Sequence, residues 1–307
     1  MRALVISGGG SKGAFAGGVA QYLIQNQKKE YDLFLGTSTG SLLIPHLAAG
    51  HIEKVYKMYT SVNQRSIFSN NPFVTRKRGD KEYVAINYLN VLWQLIKRKR
   101  TFGESKNLRK NIRRHLSPGD FKGLKERSLD IIVTVSNLSK NRVEYKSIKD
   151  FGYDDFCDWI WMSCNYVPFM SLAQKNGCEY ADGGLGCVIP IREAIRRGAT
   201  EVDAIILEAE DMDHNKVLGK NPFSLMVNLY SFVLDQLESH DIVEGRLAAI
   251  NKDVRLNTFF TPTRLTENSL YFNKKLMRSW WKQGIGYAEE RVEFLKNQRA
   301  KHVDLAG

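Results

Sequence analysis

The pentapeptide Gly36-Thr37-Ser38-Thr39-Gly40 joins two segments of different character, and this junction indicates the fold. Residues 31–35 before it form a short apolar run typical of a strand, whereas residues 41–49 after it have the mostly apolar composition of a helix. G-x-S-x-G between a strand and a helix is the pattern of a nucleophile elbow, where glycines permit a sharp turn that exposes the serine hydroxyl. The pattern alone is a weak indicator, because serines flanked by glycines also occur in ordinary loops.

A glycine-rich turn, Gly8-Gly9-Gly10-Ser11-Lys12-Gly13, lies upstream between another strand and helix. Residues 2–7 are an apolar strand, and residues 13–25 are predicted to be helical because Phe15, Val19 and Leu23 recur at four-residue spacing. Two successive strand–turn–helix units predict an α/β fold with a mostly parallel central sheet covered by helices. Further strands are predicted at 129–136, 142–148, 204–208 and 255–260.

Residues 51–128 are predicted to form a helical insertion. Leu89, Leu92, Trp93 and Ile96 fall at positions i, i+3, i+4 and i+7, which gives one helix an apolar stripe. A second stripe consists of Leu108, Ile112 and Leu116. Two interpretations remain open, namely a pair of helices packed on the main domain, or a cap or membrane-docking edge.

The chain is basic, with 45 lysine and arginine residues against 33 acidic ones and a net charge of +12. Much of the excess lies in residues 97–114, which hold nine basic side chains and one acidic, Glu104. The basic ones are Lys97, Arg98, Lys99, Arg100, Lys106, Arg109, Lys110, Arg113 and Arg114. Such a patch suits contact with anionic lipid headgroups or nucleic acid, but an ordinary solvated helical face has the same composition.

Two helices are expected near the C-terminus. A long amphipathic helix is predicted from 222 to 243, and a terminal helix from 273 to about 297, broken near Gly284 and Gly286. The apolar positions of the first are Phe223, Met226, Val227, Tyr230, Leu234 and Leu237.

The overall composition predicts one large domain in a reducing compartment. Hydrophobic residues make up 43% of the chain, enough for a core of residues 1–200 that includes the insertion, with residues 201–307 as its C-terminal part. The chain contains no run of about 18 apolar residues, so no transmembrane helix is predicted. The N-terminus has the character of a first strand rather than of a signal peptide. The four cysteines show no metal-like pairing and indicate free thiols, so a cytoplasmic protein is expected.

A serine hydroxyl is a poor nucleophile and needs a base within hydrogen-bond reach. His46 lies eight residues along the helix after Ser38, roughly 12 Å away. The other histidines lack a glycine turn that would present them: His51, His115, His214, His240 and His302. Asp182 precedes Gly183-Gly184, where the chain can turn and leave the carboxylate accessible. A turn aspartate that caps its own backbone is the ordinary alternative for a lone Asp-Gly.

Acyl transfer also needs hydrogen-bond donors for a developing oxyanion. The amides of residues 8–11 lie at a helix start whose dipole favours negative charge, and Lys12 adds a positive charge nearby. The same loop satisfies G-x-G-x-x-G, but a dinucleotide site expects an acidic residue at the end of the second strand, where this chain has residues 36–38 of the elbow. A P-loop would need Gly-Lys-Ser/Thr, and this chain has Lys12-Gly13.

These three motifs together resemble those of the patatin-like phospholipase family. The family pairs a Gly-Gly-Gly-x-Lys/Arg-Gly oxyanion loop with a G-x-S-x-G elbow and an Asp-Gly-Gly/Ala motif. The matching residues are Gly8, Gly9, Gly10, Ser11, Lys12 and Gly13 of the loop, Ser38 between Gly36 and Gly40, and Asp182 before Gly183 and Gly184. Ser163–Pro168 and Pro190 give weaker support, and the resemblance covers roughly residues 1–200. Ser7 stands where the family loop often begins with aspartate.

The resemblance implies a patatin-like sheet with helices on both faces and a serine–aspartate dyad without histidine. Ser38 would attack a lipid ester, Asp182 would take its proton, and amides near Gly9 and Gly10 would hold the oxyanion. The implied activity is calcium-independent hydrolysis of phospholipid or other acyl-lipid substrates through an acyl-serine intermediate, with no metal or cofactor. Residues 97–114 are a possible peripheral contact with an anionic membrane, and no nucleic-acid partner is expected.

Two other functions remain open at this stage. One is an acyltransferase that passes the acyl group to an acceptor other than water. The other is a basic lipid-binding module with a vestigial site, although a decayed site need not retain the loop, the serine and the aspartate together. The sequence does not indicate an oligomeric state.

Overall fold

The computed structural model describes residues 1–78, 81–210, 222–266 and 268–304. Side chains at 77–78, 81–83, 222–224, 227 and 299–304 lie outside that description. The strands are β1 (Arg2–Ile6), β2 (Leu33–Thr37), β3 (Phe73–Arg78), β4 (Lys81–Ile86), β5 (Asp130–Asn137), β6 (Arg142–Ser147), β7 (Ala173–Lys175), β8 (Cys178–Asp182), β9 (Glu201–Ala209) and β10 (Arg255–Thr261).

The α-helices are α1 (Gly13–Gln21), α2 (Thr39–Ala48), α3 (Ile52–Ser61), α4 (Gln64–Ile67), α5 (Tyr88–Ile96), α6 (Lys106–His115), α7 (Pro118–Lys125), α8 (Tyr153–Ser163), α9 (Ile191–Arg196), α10 (Pro222–Asn251) and α11 (Lys274–Asp304). A π-helical turn at Tyr22–Asn26 extends α1. No helix among the described residues is both long enough and apolar enough to cross a membrane.

The central sheet is mostly parallel, as the sequence predicts. Its strands run in the order β10-β9-β1-β2-β5-β8-β7, and β6 also pairs with β5. The strands from β10 to β5 are parallel, whereas β6, β7 and β8 add antiparallel pairs. Because β1 occupies the middle of the parallel part, the loops after β1 and β2 lie side by side at the carboxyl edge.

Helices cover both faces of the sheet. Along β1, Leu4 and Ile6 belong to one buried cluster, and Ala3 and Val5 belong to the other, as the two-residue period of a strand requires. The first cluster packs under α1, α2, α8 and α11, and the second packs under α9 and the end of α10. The α/β architecture with helices on both faces is therefore confirmed.

The insertion at 51–128 is less helical than the sequence predicts. It contains α3 to α7, but also an antiparallel hairpin of β3 and β4 with Phe73 opposite Ile86. Neither strand shows the apolar alternation of a half-buried strand, because charged residues occupy much of both.

Of the two predicted apolar stripes of the insertion, one is buried and the other is exposed. Leu108, Ile112 and Leu116 are buried against the main domain. The stripe on α5 faces solvent instead: Leu89 is 81% exposed and Ile96 is 63% exposed. The interpretation that both helices pack on the main domain therefore holds for the α6 stripe but not for the α5 stripe.

Helix α11 is continuous, so the break predicted near Gly284 and Gly286 is wrong. A Cβ on Gly284 would lie 2.3 Å from the carbonyl oxygen of Phe15, which shows that this glycine permits close approach of α1 rather than a turn. The helix predicted at 222–243 is α10, which continues to Asn251. The side chains of Phe223 and Val227 lie outside the described residues.

Candidate active site

Ser38 lies at the junction between β2 and α2. Its backbone has φ 53° and ψ −116°, a conformation that non-glycine residues rarely adopt. A strained residue held in this way is common where a side chain must project from a tight turn. Ser38 also occupies the N-terminal end of α2, where the helix dipole favours developing negative charge.

The glycines on either side of Ser38 permit this turn. A Cβ on Gly40 would lie 2.2 Å from the carbonyl oxygen of Ile6, and one on Gly36 would lie 2.4 Å from the carbonyl carbon of Gly40. Both distances are far below van der Waals contact, so β1 requires glycine at position 40 and the first turn of α2 requires glycine at position 36. The G-x-S-x-G spacing thus has a steric explanation in the fold.

Asp182 ends β8 and lies directly against Ser38. The Ser38 hydroxyl donates to Asp182 Oδ2 at 2.7 Å, and the Gly184 amide donates to Oδ1 at 2.8 Å. A Cβ on Gly183 would lie 2.4 Å from the Thr134 carbonyl oxygen, so the turn after the aspartate also needs glycine. The predicted nucleophile and base, which are 144 residues apart in sequence, are therefore hydrogen-bonded.

The environment of Asp182 suits a proton acceptor. The residue is only 4% exposed, and burial raises the pKa of its carboxyl to about 7, although the hydrogen bonds from Ser38 and Gly184 act to lower it. An acceptor with a pKa near the working pH is the most effective general base.

No histidine with a described side chain hydrogen-bonds to Ser38. His46 is buried near the end of α2, and burial lowers its pKa to about 4. His214 and the side chain of His302 lie outside the described residues. Within the described part of the chain, Asp182 is thus the basic side chain that contacts the serine hydroxyl.

The glycine loop follows β1 and begins α1. The Gly8 amide donates to Val188, the Ser11 amide to Ser269, the Lys12 amide to Gly9 and the Gly13 amide to Gly10. The amides of Gly9 and Gly10 donate to no acceptor in the described part of the chain. Gly8, Gly9 and Gly10 line the same cavity as Ser38, so this pair of amides is available to a ligand.

The carbonyl of Gly10, which shares a peptide plane with the Ser11 amide, is held in place by two hydroxyls. Its oxygen accepts hydrogen bonds from the hydroxyls of Thr39 at 2.7 Å and Tyr59 at 2.5 Å. Gly10 has φ +56°, and a Cβ there would lie 2.2 Å from the Ser269 carbonyl oxygen. Glycine is therefore required at this position on two counts, and Thr39 and Tyr59 fix the direction of the Gly10 carbonyl.

Lys12 has a different role from the one its sequence position indicates. Its ammonium group binds Glu208 Oε2 at 2.5 Å, so its charge is largely offset by a carboxylate at the end of β9. Ser7, where the family loop often has aspartate, is fully buried. Its hydroxyl donates to the Gly8 carbonyl and accepts from the Leu207 amide, which ties the loop to β9.

Sequence reasoning missed several residues that support the elbow. The Ser163 hydroxyl accepts from the Ser38 amide at 2.9 Å and hydrogen-bonds the Ser41 hydroxyl at 2.8 Å. The Asn165 carbonyl accepts from the Asp182 amide at 2.9 Å. Ser163 and Asn165 belong to the segment Ser163–Pro168 that supports the family resemblance, so the sequence did indicate that this segment matters. Nothing in the sequence indicated that Tyr59 would contact the glycine loop.

A cavity of about 450 Å³ contains Ser38 and Asp182 in its lining. Helices α3 and α6 supply apolar residues to it, among them Met58, Leu108 and Ile112. Strand β9 and helix α10 supply polar ones, including Glu208, Asp235 and Glu238. The site thus offers both apolar and polar surface beside one nucleophile, which suits an amphipathic ligand.

Comparison with known proteins identifies the family. The sequence profile of the patatin-like phospholipases matches residues 4–195, which include the glycine loop, the elbow and the aspartate turn. The chain belongs to the patatin-like phospholipase family. Membership supports lipid hydrolase activity in general and agrees with the α/β fold.

Two individual proteins are similar to this patatin-like chain. Uncharacterized protein YjjU of Escherichia coli strain K12 is 27% identical over 213 residues, which are 64% of this chain and 49% of YjjU. The crystal structure of VipD from Legionella pneumophila superposes with a TM-score of 0.53 at 16% identity, covering 95% of this chain and 66% of VipD. The chain thus spans about half of YjjU and about two thirds of VipD, and the likeness to VipD shows the fold alone.

Proposed function

We propose that this protein is a phospholipase A-type esterase that hydrolyses acyl-lipid esters through a Ser38–Asp182 dyad. The observation that carries the proposal is the 2.7 Å hydrogen bond from the Ser38 hydroxyl to the buried Asp182 carboxylate. A nucleophile in contact with its acceptor is the arrangement that activates a serine. The raised pKa of Asp182, about 7, supports the same assignment because the carboxyl gains affinity for the proton it must take.

The reaction would proceed in two steps. In the first, Ser38 Oγ attacks the ester carbonyl carbon as its proton moves to Asp182, and the protonated carboxyl then donates to the leaving alcohol. In the second, Asp182 takes a proton from the water that attacks the acyl-serine, and it returns that proton to Ser38 Oγ as the acyl–serine bond breaks and the fatty acid leaves. The bond that breaks is the ester C–O bond, and the base returns to its starting state after each turnover.

The amides of Gly9 and Gly10 would hold the oxyanion of each tetrahedral intermediate. Both lack an acceptor within the described residues, and the Gly9 carbonyl, which shares a peptide plane with the Gly10 amide, accepts from the Lys12 amide at 3.1 Å. Donors fixed in advance stabilise a transition state most effectively, because they need no reorganisation during the reaction. Ser11, Lys12 and Gly13 support the loop rather than the oxyanion, since their amides already have acceptors.

The cavity lining favours a lipid with a long acyl chain and a polar headgroup. Apolar residues of α3 and α6 would take the acyl chain, and the polar residues of β9 and α10 would face the headgroup or leaving alcohol. Because Glu208 and α10 follow residue 200, we propose that residues 1–200 carry the catalytic groups and residues 201–307 complete the cavity.

Residues 97–114 are proposed to make a peripheral contact with anionic membrane in the cytoplasm. The structure divides this patch. Arg109 and Arg113 both bind Asp158, at 2.6 and 2.9 Å, and so help to attach α6 to α8. Lys97, Arg98, Lys110 and Arg114 have no ion pair within the described part of the chain.

The test is hydrolysis of a short-chain p-nitrophenyl ester and of mixed phospholipid vesicles in the presence of a calcium chelator. Wild type should cleave both, Ser38→Ala should lose at least ~10⁴-fold in rate, and Asp182→Asn should also fall sharply. The vesicle products identify the bond cleaved. If vesicle turnover appears only when an alcohol acceptor is added, the acyltransferase alternative replaces hydrolysis. If the protein turns over neither substrate and a fluorophosphonate also fails to label Ser38, the vestigial-site alternative remains.

A further inference from the structure

Helix α5 is amphipathic, but its polar face packs on the protein and its apolar face points to solvent, the opposite of an ordinary surface helix. Its inward positions are Asn87 at the cap, Asn90, Val91 and Gln94, which follow an i, i+3, i+4, i+7 pattern. Its outward positions are Leu89, Leu92, Trp93 and Ile96, which follow the same pattern and are all more than half exposed. The helix therefore turns polar groups towards the protein and a continuous apolar stripe towards solvent.

Specific contacts hold α5 in this orientation. Asn87 Oδ1 accepts from the Asn90 amide at 3.1 Å, which caps the helix. The side-chain amide of Asn90 donates to Asn70 Oδ1 at 2.8 Å and to the Phe102 carbonyl at 3.2 Å. Gln94 is 3% exposed. A rotation that buried the leucines would break this anchoring, so the exposed stripe is a fixed feature of the fold.

Cations border the apolar stripe at its C-terminal end. Lys97 places its ammonium 4.9 Å from the centre of the Trp93 ring, and Lys97 and Arg98 have no ion pair within the described residues. Lys99 and Arg100 bind Glu104 and Glu179 but remain at least half exposed. A tryptophan and leucines beside lysine and arginine match the composition of helices that lie in the headgroup region of anionic membranes.

The inward side of α5 is connected to the wall of the cavity through Phe102, whose carbonyl accepts from Asn90. The Phe102 ring lies 5.9 Å from the Phe169 ring, and Phe169 stacks at 6.0 Å on Tyr166, which lines the cavity with Ser38. Tyr166 in turn contacts the ring of Tyr230 on α10. A membrane bound by α5 would thus be coupled to the wall of the cavity that holds Ser38, through the hydrogen bond from Asn90 to Phe102 and the packed aromatic rings that follow.

We propose that α5 is the membrane-docking element of this protein. Leu89, Leu92, Trp93 and Ile96 enter the headgroup–acyl boundary of an anionic bilayer, and Lys97 and Arg98 contact its lipid phosphates. The inference deepens the proposed function by assigning the surface that presents lipid to the cavity, but docking does not require the Ser38 chemistry. It also places the contact on the exposed apolar stripe rather than on the arginines of α6 that bind Asp158.

Trp93 provides a direct readout. It is 55% exposed, whereas Trp159, Trp161, Trp280 and Trp281 are all buried. Wild-type protein is titrated with vesicles of phosphatidylcholine alone and of phosphatidylcholine mixed with phosphatidylglycerol. Tryptophan emission should shift to the blue with the anionic vesicles and be quenched when brominated lipids are included, and Trp93→Phe should abolish both changes.

Three variants separate the contributions. Leu89→Ser/Leu92→Ser/Ile96→Ser keeps Trp93 and should weaken vesicle binding by about a thousandfold, since each of the three apolar side chains contributes about tenfold. Lys97→Ser/Arg98→Ser should lose about fivefold per cation on anionic vesicles. Lys110→Ser/Arg114→Ser removes the same charge from the exposed side of α6 and should lose less than the α5 charge variant.

The outcomes discriminate between α5 and its alternatives. The proposal is overturned if the leucine variant binds vesicles like wild type, or if the α6 control loses as much as the α5 charge variant. It is also overturned if wild type ignores vesicles but forms a concentration-dependent oligomer that the leucine variant does not form, because the stripe would then pair two copies of the chain. Rates on the soluble p-nitrophenyl ester should be unchanged in all three variants, so loss of docking is distinguishable from failure of the catalytic assignment.

Discussion

The candidate active site and helix α5 differ in how closely a local sequence pattern determines the structure. At the candidate site, the glycines at 36 and 40 lie where backbone contacts leave no room for a side chain. In α5, the apolar period marks a helix correctly, but the helix turns that stripe to solvent. Glycines that are spaced by a backbone contact therefore predict where the residue between them lies. A periodic pattern of apolar residues predicts only that a helix has one apolar and one polar face, and not which face is buried.

The largest expected effect on stability concerns Asp182. The pKa of this carboxyl is raised above the unfolded value, so its contribution to stability is complete below pH about 4 and is lost as the pH rises through about 7. Asp182→Asn removes that loss, so it should stabilise the protein at pH 9 by up to about 4 kcal/mol and change its stability little at pH 4. The figure follows from the rise in the pKa of Asp182 from 3.8 to about 7, at about 1.36 kcal/mol per pKa unit. Urea unfolding at the two pH values measures the difference. Equal effects of the substitution at pH 9 and pH 4 would show that ionisation of the buried carboxyl does not destabilise the protein.

The next effect tests the steric side of the comparison. Gly40→Ala should destabilise the protein by about 3 kcal/mol, because its methyl group would lie 2.2 Å from the Ile6 carbonyl oxygen. Gly286→Ala in α11 is the matched control, since nothing lies within 4 Å of a Cβ there. This control should be neutral or stabilising by roughly 0.5–1 kcal/mol. Similar unfolding midpoints for the two variants would contradict the steric account of the elbow.

The attachment of α6 should show a smaller effect. Asp158→Asn leaves the guanidinium groups of Arg109 and Arg113 without their carboxylate partner, although Arg109 remains 40% exposed and solvent screens part of the loss. We expect destabilisation of about 1–2 kcal/mol in urea, compared with less than about 0.5 kcal/mol for Lys97→Ser/Arg98→Ser. A charge variant near α5 that unfolds as easily as Asp158→Asn would show that those cations are structural too.

The smallest effect on stability is expected for a leucine of the exposed α5 stripe, and it is compared with a buried residue of the α6 stripe. Leu89→Ala on α5 should change the free energy of unfolding by no more than about 0.5 kcal/mol, because the side chain is already in solvent. Ile112→Ala on α6 should cost about 2–4 kcal/mol, because that side chain is 6% exposed. Paired urea titrations decide the matter, and a large loss in Leu89→Ala would mean that the α5 stripe packs against the protein after all.

Much of the fold was predictable from residues whose spacing reflects direct contact. Two strand–turn–helix units at the N-terminus indicated the parallel sheet, and β1 and β2 do pair in parallel. Ser38 and Asp182 could be selected together because each lies on a glycine turn and because no histidine had a comparable setting. The catalytic roles stay predictions, but the structure places the two side chains within one hydrogen bond.

Other features depend on contacts that no local pattern encodes. The glycine at 284 suggested a break in α11 but serves the close approach of Phe15 on α1. The charge of Lys12 is offset by Glu208, which lies 196 residues away. Tyr59 orients the Gly10 carbonyl from an unremarkable amphipathic helix, and the β3–β4 hairpin lacks apolar alternation. Each required the three-dimensional neighbour to be known.

The most direct test of the central claim is the pH dependence of fluorophosphonate labelling at Ser38, followed by mass spectrometry. Labelling needs the ionised Asp182, so the wild-type rate should fall about tenfold per pH unit below a midpoint near 7 and reach a plateau above it. Asp182→Asn should label far more slowly and without that midpoint. Rapid labelling of Asp182→Asn, or a wild-type rate with no inflection near pH 7, would contradict the assignment of Asp182 as the base.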